Sequence, residues 1–386
     1  MTVVGGRLGP LAALDGLAAR IEGARAAGAA DRRLPDELAR ALAEAGLFKL
    51  LVPRVLGGLE LDPLTAAEVV EAAARIDGSV GWAVMIGSQS AWYASYLPWQ
   101  VADRVLGSAG ATLAGALRPG GTAVAVDGGY RVSGRWTLVS GCTYADHLYG
   151  ACRVARPGNG ARSDVMVAYV PASAATLVDT WHSAGLRATG SHDFTLNDVV
   201  VPDDWTLPMP VLGPAQHDGP LYRDGYQNLP FVLQAAHALG VARGAAASFA
   251  ELAGTAGRWM CGGSLRDQPT VQARVARVEA GIRSARAWLW EAVGDVWETI
   301  VAGSPPTMGQ RVLVRLAITS AITTSAEAVD ALQSAAGAAA LYEDHPLQQR
   351  FQDARAAAAH IQAAPVILEV TGALLLGAPT APNPLI

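Results

Sequence analysis

The sequence predicts an α+β fold, helical at both ends and β in the middle, and three observations predict it. Up to about residue 110, apolar residues recur at spacings of three and four. Between 111 and about 210 the pattern changes to short runs rich in Val, Thr and aromatic residues, punctuated by Gly, Pro and Asp. From about 228 the helical spacing returns, with a large excess of alanine. The chain therefore divides into an N-terminal α-helical domain, 1–110, a middle β-domain, 111–225, and a C-terminal helical bundle, 226–386.

The elements follow in order. Leu34 to Leu51 carries an apolar stripe opposite a charged face and reads as an amphipathic helix, closed by Val52-Pro53. Gly57-Gly58 marks a turn, and Asp62-Pro63 opens the next helix, with Asp as cap and Pro at the first helical position. That helix stops at Gly78. Gly78 to Ala102 contains no charged residue. Its Ser79, Ser88, Gln89, Ser90 and Ser95 suit a helix buried in protein better than one facing lipid. Thr122–Val126 and Tyr130–Ser140 flank Asp127-Gly128-Gly129 and read as a β-hairpin. Val165–Val170, Thr195–Leu196 and Val199–Val201 are further strands. Helices are expected at 229–257, 270–300, 308–341 and 346–364. Their alanines allow close helix approach, which suits an antiparallel bundle and an interface between subunits.

Composition narrows the function. The 386 residues are 51% hydrophobic and 16% charged, enough apolar matter for a large core. With 29 Lys and Arg against 34 Asp and Glu, the net charge is −5, the wrong sign for nucleic acid or anionic lipid as main partner. The three cysteines, Cys142, Cys152 and Cys261, form no CxxC and no even framework, which fits a reducing, cytoplasmic setting. MTVVGGRLGP at the start lacks the features of a signal peptide. The seven histidines show no metal-ligand spacing, and no GxxxxGK[ST], GxGxxG after a strand, or GxSxG occurs. Asp146-His147 and His192-Asp193 read as turn or surface pairs.

Five segments, in register, carry a resemblance: 46–58 (GLFKLLVPRVLGG), 129–141 (GYRVSGRWTLVSG), 185–202 (GLRATGSHDFTLNDVVVP), 258–276 (RWMCGGSLRDQPTVQARVA) and 346–355 (PLQQRFQDAR). Together they resemble the acyl-CoA dehydrogenase superfamily over nearly the whole chain. The resemblance implies an N-terminal helical domain, a middle β-barrel or sandwich, a C-terminal four-helix bundle bearing the flavin site, and a homotetramer or dimer. One departure redirects the function. A dehydrogenase of this family needs a carboxylate to take the α-proton. The usual position after Asp-Ala-Arg reads Ala356 to Gln362 here, and the alternative stretch, Asn228 to Leu239, holds no acid. Of the family's paired glycines near the flavin pyrophosphate, Ala336-Gly337 keeps one.

This pattern is similar to the two-component flavin-dependent monooxygenases (group D) on the same fold. That branch implies reduced FMN or FAD delivered by a separate NAD(P)H:flavin reductase. It also implies O2 as co-substrate and a flavin C4a-hydroperoxide that hydroxylates an aromatic or other electron-rich small molecule. By the resemblance, Ser140 lies against the flavin N5, Leu138 and Arg355 border the cofactor, and Arg258 reaches a flavin phosphate. His360, five residues after the Arg of Asp-Ala-Arg, is the catalytic base or donor, with Asp353 on its helix face. Trp82, Met85 and Trp92 could line a substrate pocket, although a Trp/Met stripe also suits a core. Trp288, Trp290 and Trp297 read as packing. Three other readings compete: an acyl-CoA dehydrogenase using Glu343 or Glu369, an amine N-oxygenase of the nitrososynthase type, and a scaffold without flavin.

Overall fold

A computed structural model describes residues 8–155, 164–209, 216–223, 228–257 and 263–378. Five helices come first: α1 (Leu8–Asp31), α2 (Asp36–Glu44), α3 (Pro63–Ile76), α4 (Gly78–Ala94) and α5 (Trp99–Leu106). Helix α2 stops well short of Leu51. Gly46 adopts φ +74°, a left-handed conformation that suits glycine and ends a helix. The chain beyond it folds back, with Leu59 N donating to Lys49 O and Leu61 N to Leu50 O. The Asp62 carboxylate caps α3 through Leu64 N and Thr65 N, 3.0 Å each, as its sequence anticipates. Asp77 caps α4 through Val80 N and breaks the path between the two helices. Nearly all of α4 is buried, in agreement with its lack of charge.

The middle of the chain forms one seven-stranded sheet, the shape taken here by the expected barrel or sandwich. Its strands are β1 (Leu113–Val126), β2 (Gly129–Val139), β3 (His147–Ala155), β4 (Val165–Pro171), β5 (Thr176–Val178), β6 (His192–Pro202) and β7 (Thr206–Met209), in the order β5-β6-β2-β1-β3-β4-β7. The β1–β2 hairpin turns at Gly128, φ +71°, with Val126 opposite Gly129. Strands β1 and β3 run parallel and the remaining pairs antiparallel. Strand β3 (HLYGACRVA) escapes a pattern search because its centre is buried on both faces, so no alternation marks it. His192-Asp193 is a buried pair inside β6, not a surface turn. Asp193 is held there by Arg135, at 2.8 Å, and by Thr180, at 3.0 Å.

The C-terminal helices are α6 (Val232–Thr255), α7 (Pro269–Val301), α8 (Met308–Ala336), α9 (Pro346–Ala358) and α10 (Pro365–Leu375). Helices α6 to α9 pack into the bundle, and α6 also lies along α3, so the two helical segments share one apolar core. Residues 308–340 are long and apolar enough to cross a membrane, yet two thirds of their most apolar 18-residue window is buried, and the helix packs against α6, α7, α9 and α10. Its apolarity therefore reflects a core position. Helix α9 ends at Ala358, shorter than the expected 346–364. The backbone extends at His360 (ψ 152°) and Ala364 (ψ 143°), the latter preceding Pro365, which disfavours helical geometry there. His360 consequently lies beyond the helix rather than on the Asp353 face.

Candidate active site

The site forms where the end of β2, the first turns of α4, the loop 186–191 and the chain after α9 converge. Near the end of β2 the register with β6 slips between Trp136 and Val139. Leu138 there takes φ +59°, in a strand where a non-glycine residue pays about 1 kcal/mol for a left-handed backbone. Its side chain is 66% exposed, although large and apolar. The irregularity redirects the strand end that carries Ser140.

Ser140 is buried and doubly bonded. The Trp82 indole N–H donates to its Oγ at 3.0 Å, and its Oγ lies 2.7 Å from Ser191 Oγ. Ser191 Oγ is in turn 2.6 Å from Thr189 Oγ1, and Thr189 donates to Leu186 O at 2.8 Å. The loop holding these hydroxyls is fixed from three sides. Gly141 N donates to Thr189 O, Ala188 N donates to Ser79 Oγ on α4, and Leu186 N donates to Asp353 Oδ1 on α9 at 2.6 Å. Asp353 thus has a role different from that anticipated: it anchors the loop under Ser140. Burial, with Asp77 nearby, pushes its carboxyl up to about 7. Close packing demands glycine around this anchor. A Cβ on Gly78 would stand 2.4 Å from Asp353 Oδ2, and one on Gly185 would stand 2.0 Å from Gln352 O.

Two imidazoles meet the edge of Trp82, His237 at 5.2 Å and His360 at 5.9 Å between ring centroids. His360 Nδ1 accepts from Gln362 N at 3.3 Å, so in the neutral ring Nε2 carries the proton. No described residue engages that Nε2. Burial, and secondarily the Arg315 charge, pulls the His360 pKa down to about 4. His237 is fully buried and its pKa also falls to about 4. Its Nε2–H donates to Gly78 O at 2.9 Å, which leaves Nδ1 a buried acceptor with no partner.

These features fit a flavin ring. An exposed leucine, an indole and an imidazole offer apolar contact, while Ser140 Oγ keeps capacity for one further hydrogen bond and His237 Nδ1 is an orphaned buried acceptor. At the far end of α8, Gly337 takes φ +58° with open space where a Cβ would stand, so a close approach by a ligand is sterically free there.

The other sequence candidates sit elsewhere. Met85 and Trp92 are buried in the core, Trp92 against Tyr93 and Tyr96 with its N–H on Leu221 O. Arg355 pairs with Asp330 on α8. Arg258 and Cys261 lie outside the described residues, as do 210–215 and 224–227 of the loop 208–228. Glu343 and Glu369 are exposed and make no bond to Ser140, Trp82 or His360. Cys142 donates to Gly190 O, and burial raises its thiol to about 12, so it is inert. No cluster of metal-ligating residues occurs among the described residues. Sequence reasoning missed Ser191, Thr189 and His237. The Gly190-Ser191 dipeptide within the matched segment 185–202 was the available signal for Ser191; His237 had none, standing in an alanine-rich helix.

Comparison with known proteins agrees with this architecture. Family models described as acyl-CoA dehydrogenase N-terminal and C-terminal domains match residues 15–97 and 232–365. An indole-3-acetate monooxygenase of Pseudomonas putida is 34% identical over 90% of this chain and 88% of its own. The flavin-dependent monooxygenase oxygenase subunit HsaA of Mycobacterium tuberculosis is 31% identical over 91% of this chain and 90% of its own. The structure of XiaF from Streptomyces in complex with FADH2 and glycerol superposes with a TM-score of 0.89 at 28% identity, covering 98% of this chain and 97% of its own.

Proposed function

The chain belongs to the acyl-CoA dehydrogenase family and, within it, to the flavin-dependent monooxygenases; on that premise we propose that it is an oxygenase component that hydroxylates an aromatic small molecule. Reduced FMN or FAD, when bound, supplies two electrons to O2, one oxygen atom entering the product and the other leaving as water. A separate NAD(P)H:flavin reductase delivers the reduced flavin, in keeping with relatives named as oxygenase subunits.

One observation carries the reading. Ser140 and a neutral His360 meet on the Trp82 indole, and among the described residues no Asp or Glu is hydrogen-bonded to any of the three. Such a site has no base to remove a carbon-bound proton, but it has a hydroxyl, an N–H donor and a wall that excludes water. Leu138 and Trp82 would cover a bound flavin ring, and Ser140 would meet its polar edge. His360 presents Nε2–H as a donor, since its low pKa and the Gln362 contact at Nδ1 disfavour a role as base. A donor there orients an oxygen of the substrate or of the oxygen being transferred. Arg258 would supply a cation for a flavin phosphate, by its position in the segment 258–276. The apolar residues left exposed on α10 and after α8, among them Leu368, Leu375 and Tyr342, suit contact with further copies of the chain in a homotetramer. Buried, unpaired thiols at Cys142 and Cys152 are compatible with the cytoplasm.

The test supplies the protein with reduced FMN or FAD and 18O2 together with indole or phenol substrates. Label in a hydroxylated product is the expected result. Reduction of bound flavin by an acyl-CoA thioester, read with a dye acceptor, would replace this function with dehydrogenation.

A further inference from the structure

We infer that Thr189, Ser191 and Trp82 are positioning residues that set the direction of the Ser140 hydroxyl, turning its proton away from the flavin and a lone pair toward it. The inference rests on the reading that Ser140 faces a flavin, and it extends that reading to which redox state of the flavin the site prefers.

The direction follows from counting protons. A hydroxyl has one proton to donate and two lone pairs. Thr189 spends its proton on Leu186 O, a carbonyl that can only accept. The 2.6 Å contact between Thr189 and Ser191 must therefore use the Ser191 proton. With that proton committed, the 2.7 Å contact between Ser191 and Ser140 must use the proton of Ser140. The Trp82 indole can only donate, so it takes one lone pair of Ser140 at 3.0 Å. What remains on Ser140 is a single lone pair, and no described residue occupies it. The chain runs Trp82, Ser140, Ser191, Thr189, Leu186 O, every proton pointing the same way. Each contact is buried, so water does not reverse it.

A hydroxyl held in this way is an acceptor only. Reduced flavin carries a hydrogen on N5 and satisfies it; oxidised flavin has a bare, accepting N5 and does not. Meeting oxidised flavin, Ser140 either faces lone pair to lone pair or gives up its bond to Ser191, which strands the loop hydroxyls. The site is therefore built to bind reduced flavin and to release the oxidised form, which returns to the reductase. The Asp353 carboxylate takes part at one remove, because it fixes the Leu186 segment whose carbonyl terminates the chain.

The experiment is equilibrium titration with FMN and FAD, oxidised in air and reduced under anaerobic conditions, on the full-length protein and four variants. The protein itself is expected to bind the reduced form more tightly. Ser191→Ala removes the acceptor for the Ser140 proton, and Thr189→Val frees the Ser191 proton so that the chain can reverse. In both, the ratio of oxidised to reduced Kd should fall by about three- to tenfold, the range of one hydrogen bond, mainly through tighter oxidised flavin. Thr189→Ser keeps the hydroxyl and should restore the original ratio, which a merely structural defect would not do. Trp82→Phe removes a donor, leaves the proton direction unchanged and should lower affinity for both forms alike. An unchanged ratio in Ser191→Ala and Thr189→Val, with flavin still bound, overturns the proton direction. Equal affinity of the unmodified protein for both forms overturns it as well. No binding of either flavin in any form overturns instead the functional reading on which it stands.

Discussion

His360 has a single proton to offer and a fixed place for it. The Gln362 amide engages Nδ1 and burial keeps the ring neutral, so at neutral pH the imidazole is a donor through Nε2. His360→Ala is expected to leave flavin affinity near that of the unmodified protein. It should lower hydroxylated product per NADH by roughly tenfold, the electrons appearing as hydrogen peroxide, since one positioned donor is worth about that much. Product and peroxide assays in parallel measure it, and full coupling in the variant would remove His360 from the chemistry. With a pKa near 4, the His360 contribution should also be flat from pH 6 to 9.

At the scale of elements, α9 acts through Asp353. This residue joins α9 of the bundle to the loop between β5 and β6, and its carboxyl is raised from 3.8 to about 7 by burial and by Asp77. The folded state thus favours the protonated acid. The associated stability is fully present below about pH 4 and is lost as pH rises through 7. Asp353→Asn keeps an oxygen for Leu186 N and removes the titration. Urea unfolding should show the variant gaining on the unmodified protein as pH rises from 4 to 7, by about 3 kcal/mol, with a plateau above. A difference independent of pH would mean that Asp353 is an ordinary ionised carboxylate.

For the whole molecule, one apolar core runs from α1 to α9, while α10 and the turn after α8 leave large apolar residues in solvent: Leu368 at 49%, Leu375 at 63% and Tyr342 at 76% exposure. Surfaces of this kind are seldom left bare in a monomer. Light scattering on a sizing column is expected to give a tetramer or a dimer. Leu368→Glu combined with Leu375→Glu should shift it to smaller species, because two buried charges at a shared face cost several kcal/mol each. A monomer in the unmodified protein at micromolar concentration would exclude this face.

The sequence by itself determined the α–β–α order, the Asp62 helix start, the hairpin at Gly128, and the lack of an acid in the stretches 356–362 and 228–239. Each of these is a local matter, settled by caps, turn residues or periodicity within about ten positions. It also marked Ser140 and His360 one by one. Tertiary structure alone decided that they meet, because α4 brings Trp82 between a strand end and a residue 220 positions further along the chain. It decided against a continuous helix to 364, and so moved Asp353 from the helix face expected to carry His360 to the anchor of the loop 186–191. The direction of the hydroxyl chain likewise exists only in three dimensions. A hydroxyl donates one proton wherever it is, and which neighbour receives it depends on acceptors supplied by distant segments of the fold.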